Sequence, residues 1–156
     1  MKTSSIRDLL AEQAVLRGLE PVDIDLISGC GHNEVFEVGA FLAREGEPAN
    51  RFFIVRAGRV ALELQTPTGP LIIETIGPGD LVGWSWLFGP HRWEYDIEAI
   101  DQTRLVVIEA ACLRDKCDAD SAFGYRLMKR FAEVVVSRLH ATRLRLLDLY
   151  GAADAR

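Results

Sequence analysis

The sequence predicts a mainly β fold with added helices: an antiparallel jelly-roll barrel flanked by N-terminal helices and a long C-terminal dimerisation helix. Two patterns carry this prediction. From residue 34 to about residue 108, short apolar stretches alternate with turns rich in Gly and Pro, as in antiparallel sandwiches and barrels. From residue 122 a helical apolar repeat continues for about 28 residues. The chain has 156 residues, so we expect one domain over 1–156.

Composition excludes several classes of function. The formal net charge is −5, which disfavours a general electrostatic grip on nucleic acid or on an anionic membrane. The sequence contains no apolar run of the roughly 18 residues that a membrane span requires. The N-terminus lacks the central apolar block of a secretory signal. The three cysteines are an odd number without a close CxxC pair, which favours a reducing cytoplasm.

Residues 1–29 are expected to form two helices. From Ser4 to Leu16 the apolar residues have helical spacing after a serine start. Pro21 then opens a second helix that runs to about Ser28 and ends at Gly29. Both helices present apolar side chains, so we expect them to cover one side of the barrel.

The barrel is expected over residues 33–109. Short strands flank Gly39, and between Val60 and Gln65 apolar residues alternate with less apolar ones, as in a half-buried antiparallel strand. Residues 67–70 form a hairpin loop, and Leu105 to Ile108 is a continuous apolar strand. A short helix is predicted from Glu109 to Lys116.

The stretch from Gly77 to Trp93 is the most informative part of the chain. It begins Gly-Pro-Gly-Asp-Leu-Val-Gly and contains all three tryptophans, at positions 84, 86 and 93. Gly79 and Gly83 permit a positive φ or a close backbone approach. Trp84 to Phe88 is predicted to form one short helical turn, whose first N–H groups have no intrahelical partner and could hold an acidic group.

Four segments, in this order, resemble the cyclic-nucleotide-binding domain family of the catabolite activator protein type. Residues 41–48 are similar to its early hairpin, and residues 52–60 to its strand, Gly turn and strand. Residues 76–83 resemble the Gly-Asp-x-x-Gly that opens the phosphate-binding cassette, here 77–95. Leu105 to Ile108 and the long helix resemble the last barrel strand and the C-terminal helix. The resemblance implies a regulatory domain that binds cyclic AMP or cyclic GMP.

The cassette departs from the family pattern at both of its charged anchors. The family places a Glu after the last Gly, where it holds the ribose 2′-hydroxyl, and this chain has Trp84 there. Alignment on the following Ile97-Glu98-Ala99 puts Trp93 where the family's Arg pairs with the cyclic phosphate. Arg92 can replace that Arg only if the loop slips by one residue. An Arg92 side chain turned into the cassette favours an anionic ligand, and one turned to solvent favours a filled pocket.

The last helix, predicted over residues 121–150, carries two apolar stripes. The first has alternating spacings of three and four, which suits a parallel two-helix coiled coil: Tyr125, Met128, Ala132, Val135, Leu139, Thr142, Leu146 and Leu149. The second stripe, Leu127, Phe131 and Val134, can face the barrel. We therefore expect a homodimer through this helix and read its arginines as a solvated face. The given chain leaves no room for a helix-turn-helix domain beyond it, so we expect no operator binding.

No catalytic or metal-binding set is predicted, because the three histidines are far apart and the cysteine spacing does not suit zinc. A haem ligand from Cys112, Cys117 or His91 is a minor alternative that relatives of this fold suggest. The main hypothesis is a regulatory domain that senses a small molecule, with no enzymatic activity and no membrane or nucleic-acid partner. The candidate binding residues are Gly83, Trp84, Ser85, Trp86, Arg92, Trp93, Glu94, Tyr95, Arg138 and Leu139.

The alternative hypothesis belongs to another class of protein. If the tryptophans fill the old pocket, the chain is a ligand-free homodimeric adaptor that docks on a partner protein. The aromatic side chains could equally form flat walls on which a base stacks, worth about 1–3 kcal/mol per base. The sequence leaves both possibilities open.

Overall fold

The computed structural model describes residues 4–154, and their side chains as far as residue 151. The eight strands are β1 Gly31–Phe36, β2 Phe41–Ala43, β3 Arg51–Ala57, β4 Val60–Thr66, β5 Gly69–Ile76, β6 Leu81–Val82, β7 Asp96–Ala99 and β8 Thr103–Glu109. The helices are α1 Ile6–Ala11, α2 Pro21–Ser28, α3 Ala110–Ala119 and α4 Ser121–Asp154, with a 3-10 turn at Ala14–Leu16. This architecture confirms the predicted mainly β fold with a long C-terminal helix.

The strands form two four-stranded antiparallel sheets. In space the first sheet runs β1, β8, β3, β6, and the second runs β2, β7, β4, β5. In the first sheet Phe53 pairs with Val107 of β8 and with Val82 of β6, which ties the start of the cassette to the centre of the sheet. The predicted apolar run from Leu105 to Ile108 is fully buried in β8.

The N-terminal helices form as two units, but the first is shorter than the sequence predicts. Ser5 caps α1, accepting a hydrogen bond from the Asp8 backbone N–H while the Asp8 carboxylate bonds back to Ser5. The predicted continuous helix to Leu16 is interrupted because Gln13 has an extended backbone, and its side chain donates to the Leu9 carbonyl at 2.8 Å. The second helix has the predicted start at Pro21 and end at Gly29.

Helix α4 packs one of its two predicted stripes on the barrel. Leu127, Phe131 and Val134 are buried together with Phe123, and each large apolar side chain buried in this way stabilises the fold by about 1.5–3 kcal/mol. The other stripe is exposed along most of its length; Leu146, for example, is 49% exposed. The single chain therefore leaves the predicted dimer seam uncovered, and the dimer stays a prediction.

The cysteines do not behave as their spacing in the sequence suggests. A disulfide joins Cys30, just before β1, to Cys112 in α3, with the Cα atoms 5.7 Å apart. The two residues are 82 positions apart in sequence, so no local motif signals the pairing. The bond removes the cysteine argument for a reducing compartment and takes Cys112 out of the possible haem ligands. Cys117 is a free thiol, and partial burial, with Asp118 and Asp120 nearby, raises its pKa.

None of the helices within residues 4–154 has both the length and the apolar character that crossing a bilayer requires.

Candidate functional site

The cassette begins as a tight loop fixed to β3. Gly79 has a φ of +88°, and its N–H donates to the Val55 carbonyl at 2.8 Å, while the Val55 N–H donates to the Asp80 carbonyl at 3.0 Å. The predicted helical turn from Trp84 to Phe88 is a single turn, closed by the Leu87 N–H on the Trp84 carbonyl at 3.0 Å. The segment is a single turn, as predicted, and the expectation that its first N–H groups hold an acidic group stays a prediction.

Gly83 is required at its position for two independent reasons. Its φ is +103°, a conformation that side chains with a Cβ rarely adopt. A Cβ built there would also lie 2.6 Å from Cη2 of the Trp93 indole, well inside contact distance. The motif glycine and the tryptophan at the family's Arg position are therefore packed directly against each other.

Trp93 lies inside the barrel. Its side chain is 7% exposed and stacks on Phe53 with ring centroids 6.2 Å apart. Backbone bonds to the loop at 46–49 fix this orientation: the Trp93 N–H donates to the Glu47 carbonyl at 2.9 Å, and the Trp93 carbonyl accepts from the Gly46 N–H at 2.8 Å. In extended backbone successive side chains point to opposite sides, so an inward Trp93 requires an outward neighbour.

Arg92 is that outward neighbour. It is exposed, and its Nη1 donates to the Gly46 carbonyl at 2.7 Å on the outside of the barrel. It borders a separate depression of about 190 Å³ rather than the main cavity. The one-residue slip that could have brought Arg92 inside is absent, and Trp93 is the residue that faces the barrel interior at this point.

The other two tryptophans have different surroundings. Trp86 is fully buried and stacks on Phe52 at 4.6 Å between ring centroids, while its carbonyl accepts from Nη1 of Arg114 at 2.7 Å. It is a core residue that joins the cassette to α3. Trp84 is half-buried, and its ring lies edge-on to Phe131 of α4 at 5.7 Å.

A cavity of about 470 Å³ lies between the cassette, the second sheet and α4, within the range of small-molecule sites. Eight of the ten candidate residues line it: Gly83, Trp84, Ser85, Trp93, Glu94, Tyr95, Arg138 and Leu139. The two outside it are Trp86 and Arg92. An Arg92 side chain turned to solvent was expected to indicate a filled pocket. The cavity is nevertheless open, because Trp93 forms one wall without occupying the whole space. The residues that sequence analysis missed are Leu62, Glu74, Ile76, Ile97, Val135 and Thr142.

Arg138 anchors α4 to the start of the cassette. Its Nη2 donates to Oδ1 of Asp80 at 2.5 Å and also to the Leu81 carbonyl. Its guanidinium carbon lies 5.7 Å from the centre of the Trp84 ring, within cation–π range. Its Nε is buried and has no hydrogen-bond partner among residues 4–154. Arg138 therefore connects helix, cassette and cavity, and its charge is matched by Asp80.

On the opposite face of the second sheet lies a cluster of acidic side chains. Glu63 of β4 is opposite Asp96 of β7, and both are buried. Burial, followed by the neighbouring Glu98 and Asp96, raises the pKa of Glu63 to about 7. Burial acts in the same direction on Asp96, but hydrogen bonds from the Glu45 N–H and Gln65, with Arg44 nearby, lower the Asp96 pKa overall. The same two strands present Leu62 and Ile97 to the cavity.

A β-barrel with a glycine-rich cassette closed by a long helix defines a class of regulatory ligand-binding domains, and comparison with known proteins agrees. The sequence profile of the cyclic nucleotide-binding domain matches residues 33–120, and the chain belongs to that family. A CRP-like cAMP-activated global transcriptional regulator from Mycobacterium tuberculosis is 27% identical over 143 residues, which cover 91% of this chain. The chain spans only 62% of the length of that relative.

Solved structures share the fold at low sequence identity. A cyclic nucleotide-binding domain from Methylobacillus flagellatus has a TM-score of 0.76 at 15% identity, with 92% of this chain and 81% of that one covered. The catabolite activator protein of Thermus thermophilus has a TM-score of 0.67 at 20% identity, with 87% and 62% covered. At these identities the likeness establishes the fold alone.

Proposed function

We propose that this chain is a non-enzymatic sensor domain that binds a small molecule in the cavity between the cassette and α4. The single observation that carries the proposal is the open cavity of about 470 Å³, lined by eight of the ten residues that the sequence indicated. Family membership supports a regulatory role rather than catalysis. We take residues 1–156 as one such domain, with nucleic acid and membranes outside the proposal.

The ligand is proposed to act through α4. Val135, Leu139 and Thr142 line the cavity and also belong to the exposed heptad seam. A second copy of the chain, pairing through residues 121–150, would bury that seam. A molecule that contacts both the cassette and the seam can therefore shift the helix and the dimer together, provided it binds one arrangement better than the other.

Cyclic AMP and cyclic GMP are the first ligands to test, because they are the family's own. Arg138 and Leu139 line the cavity, and the resemblance to the family aligns them with positions at which members contact the purine. Trp84, Trp93 and Tyr95 also line the cavity and offer stacking surfaces. The two charged anchors of the family pattern are replaced by tryptophan. Stacking can offset one lost charge-assisted hydrogen bond of about 1.5–3 kcal/mol, but two losses exceed it.

The test is a thermal-shift titration with cyclic AMP, cyclic GMP, cyclic dinucleotides and ATP. A ligand at a hundred times its dissociation constant adds about 2.7 kcal/mol to the free energy of unfolding, a rise of roughly 5–10 °C in Tm for this size. The variant Arg138→Ala should reduce the shift, while Arg143→Ala, an exposed arginine on the same helix, should leave it unchanged. Unchanged shifts in both variants would contradict the proposed site.

A second candidate function is supported by a different feature. An apolar groove of about 560 Å³ lies between the cassette turn and α4, and Phe88 and Val136 on it are 67% and 64% exposed. This groove suits the adaptor hypothesis, in which a partner protein covers it. If no small molecule shifts Tm, and Phe88→Ser abolishes capture of a protein that the wild-type chain binds, the adaptor hypothesis gains over the sensor.

A further inference from the structure

We infer that the cavity accepts a flat aromatic ligand carrying a protonated amine, rather than one carrying a phosphate. The inference rests on the proposed sensor function and specifies the chemical class of its ligand. It follows from the charges and aromatic faces that line the cavity, which together differ from what a cyclic phosphate requires.

The charged groups of the cavity wall leave an excess of negative charge. Two acidic residues contribute to its lining: the half-buried Glu74 and the exposed Glu94, which also borders the depression beside Arg92. Within the described part of the chain, Arg138 is the only basic side chain in the wall, and Asp80 already neutralises it at 2.5 Å. Arg92, the only arginine of the cassette, is bonded to the Gly46 carbonyl outside. A phosphate entering here would meet the carboxylate of Glu74, with Glu94 nearby, and no free cation among the lining residues to oppose it.

The walls favour a cation as well. Trp84, Trp93 and Tyr95 line the cavity, and the face of an aromatic ring is its negative region. Arg138 already lies over the Trp84 ring, which leaves the rings of Trp93 and Tyr95 to attract a cationic ligand. Trp93 occupies the position at which the family's arginine pairs with phosphate, so a cation-attracting surface stands where an anion-attracting one is expected. Aromatic faces and carboxylates together are the usual recognition surface for amines and other organic cations.

Arg138 adds no free charge to the wall. Its Nη2 donates to Asp80 and to the Leu81 carbonyl, and its guanidinium carbon lies 5.7 Å from the centre of the Trp84 ring. The expected ligand is therefore an aromatic compound with a protonated amine near Glu74.

Charged quenchers of tryptophan fluorescence test whether the electrostatic potential of the cavity is negative, before any ligand is known. Trp86 is 0% and Trp93 7% exposed, so the half-buried Trp84 dominates quenching by solutes. Normalised to neutral acrylamide, caesium ion should quench more strongly than iodide. The double variant Glu74→Gln/Glu94→Gln should remove the difference, and Glu12→Gln/Asp148→Asn, which removes the same charge elsewhere, should retain it. Stronger quenching by iodide in the wild type would overturn the inference.

Ligand preference is then measured by titration calorimetry with three compounds that share one ring: tryptamine, 3-ethylindole and indole-3-propionate. Tryptamine should bind about tenfold more tightly than indole-3-propionate, with 3-ethylindole between them. The Glu74→Gln/Glu94→Gln variant should lose this order.

Three results separate failure of the inference from failure of the function. If cyclic AMP or indole-3-propionate binds more tightly than tryptamine, the sensor function stands and the amine inference is wrong. If tryptamine does not bind at millimolar concentration but a nucleotide of the thermal-shift series does, the amine inference alone fails. If neither these compounds nor any of that series binds, the sensor function fails and the amine inference fails with it, whatever the quenching shows.

Discussion

Glu63 provides a pH dependence of stability that can be worked out from the structure. The carboxyl group is buried on the outer face of the second sheet, opposite Asp96 and beside Glu98. Burial and these two carboxylates disfavour its ionised form and raise its pKa from 4.5 to about 7, while Arg44 opposes the effect. The folded protein therefore retains a proton that the unfolded chain releases.

The sign and size of the Glu63 contribution to the free energy of unfolding follow from proton linkage. Below about pH 4.5, Glu63 is protonated in both the folded and the unfolded state, so it does not destabilise the fold. Between about pH 4.5 and pH 7 the unfolded chain loses the proton first, so the free energy of unfolding falls as the pH rises. The difference between the two pKa values corresponds to roughly 3 kcal/mol. Asp96 has a lowered pKa and acts oppositely, stabilising the fold above its ordinary value of 3.8 and ceasing to do so in acid.

Urea denaturation at pH 5 and pH 8 measures the effect of Glu63 above the range in which Asp96 titrates. At pH 5 the unfolded chain has already released part of its proton, so the loss between the two pH values is roughly 2.5 kcal/mol. With a slope of about 1–3 kcal/mol per molar urea, this lowers the wild-type midpoint by about 1–2.5 M at the higher pH. Glu63→Gln should be more stable than the wild type at pH 8 and much less dependent on pH. Glu12→Gln, an exposed control, should follow the wild type. Equal wild-type midpoints at both pH values would refute the reasoning.

Three further predictions concern stability. Gly83→Ala should lower the free energy of unfolding by about 1–3 kcal/mol because of its positive φ, and by more because the new Cβ clashes with Trp93. Gly46 has a φ of +85° with open space around it, so Gly46→Ala should show only the cost of the positive φ in thermal melts. Cys112→Ser should cost about 2–5 kcal/mol, because the bond closes an 82-residue loop, and a reductant should lower the Tm of the wild type but not of the variant. Arg126→Ala should cost about 3–5 kcal/mol in urea melts, since the fully buried Asp23 loses its charged partner and retains the Glu20 N–H. Arg126→Lys should recover part of this loss.

The cassette residues could be predicted from sequence because their motif is local. Gly79, Asp80 and Gly83 keep their spacing, and that spacing determines where the loop meets β3. Which tryptophan lies in the cavity could not be predicted in the same way. Trp84 and Trp86 are two positions apart, and only packing on Phe52 assigns Trp86 to the core.

The remaining site residues depend on long-range pairing. The orientation of Arg92 is determined by backbone bonds to residues 46–49, which no local pattern reveals. Glu74 lies in β5, where the apolar run from Leu71 to Ile76 does not alternate and so does not indicate a face. A register shift in the β4–β5 pairing between Leu62 and Glu63 further obscures it. The disulfide was missed because its cysteines are distant in sequence.

The exposed seam of α4 is proposed both to pair with a second chain and to contact the ligand. This overlap predicts that ligand binding and dimerisation are coupled. Leu139 lies on both the cavity wall and the seam, whereas Leu146 lies on the seam, 49% exposed, and does not line the cavity. If a second chain pairs along this seam, Leu146→Glu should yield monomers by light scattering without altering the cavity itself. Leu139→Glu should disturb both.

The informative measurement is the ligand affinity of the Leu146→Glu monomer. If the dimer and the ligand use the same helix arrangement, the two binding free energies are linked, and the linkage must be equal in both directions. A typical coupling of about 1–3 kcal/mol per site would change affinity by about 5–150-fold in the monomer. Because each dimer holds two sites, ligand bound to both chains would change the dimer dissociation constant of the wild type by the square of that factor. If the monomer binds the ligand as tightly as the dimer does, the coupling free energy is zero. Ligand binding would then not be transmitted to the dimer through α4, even though Leu139 lies on both the cavity wall and the seam.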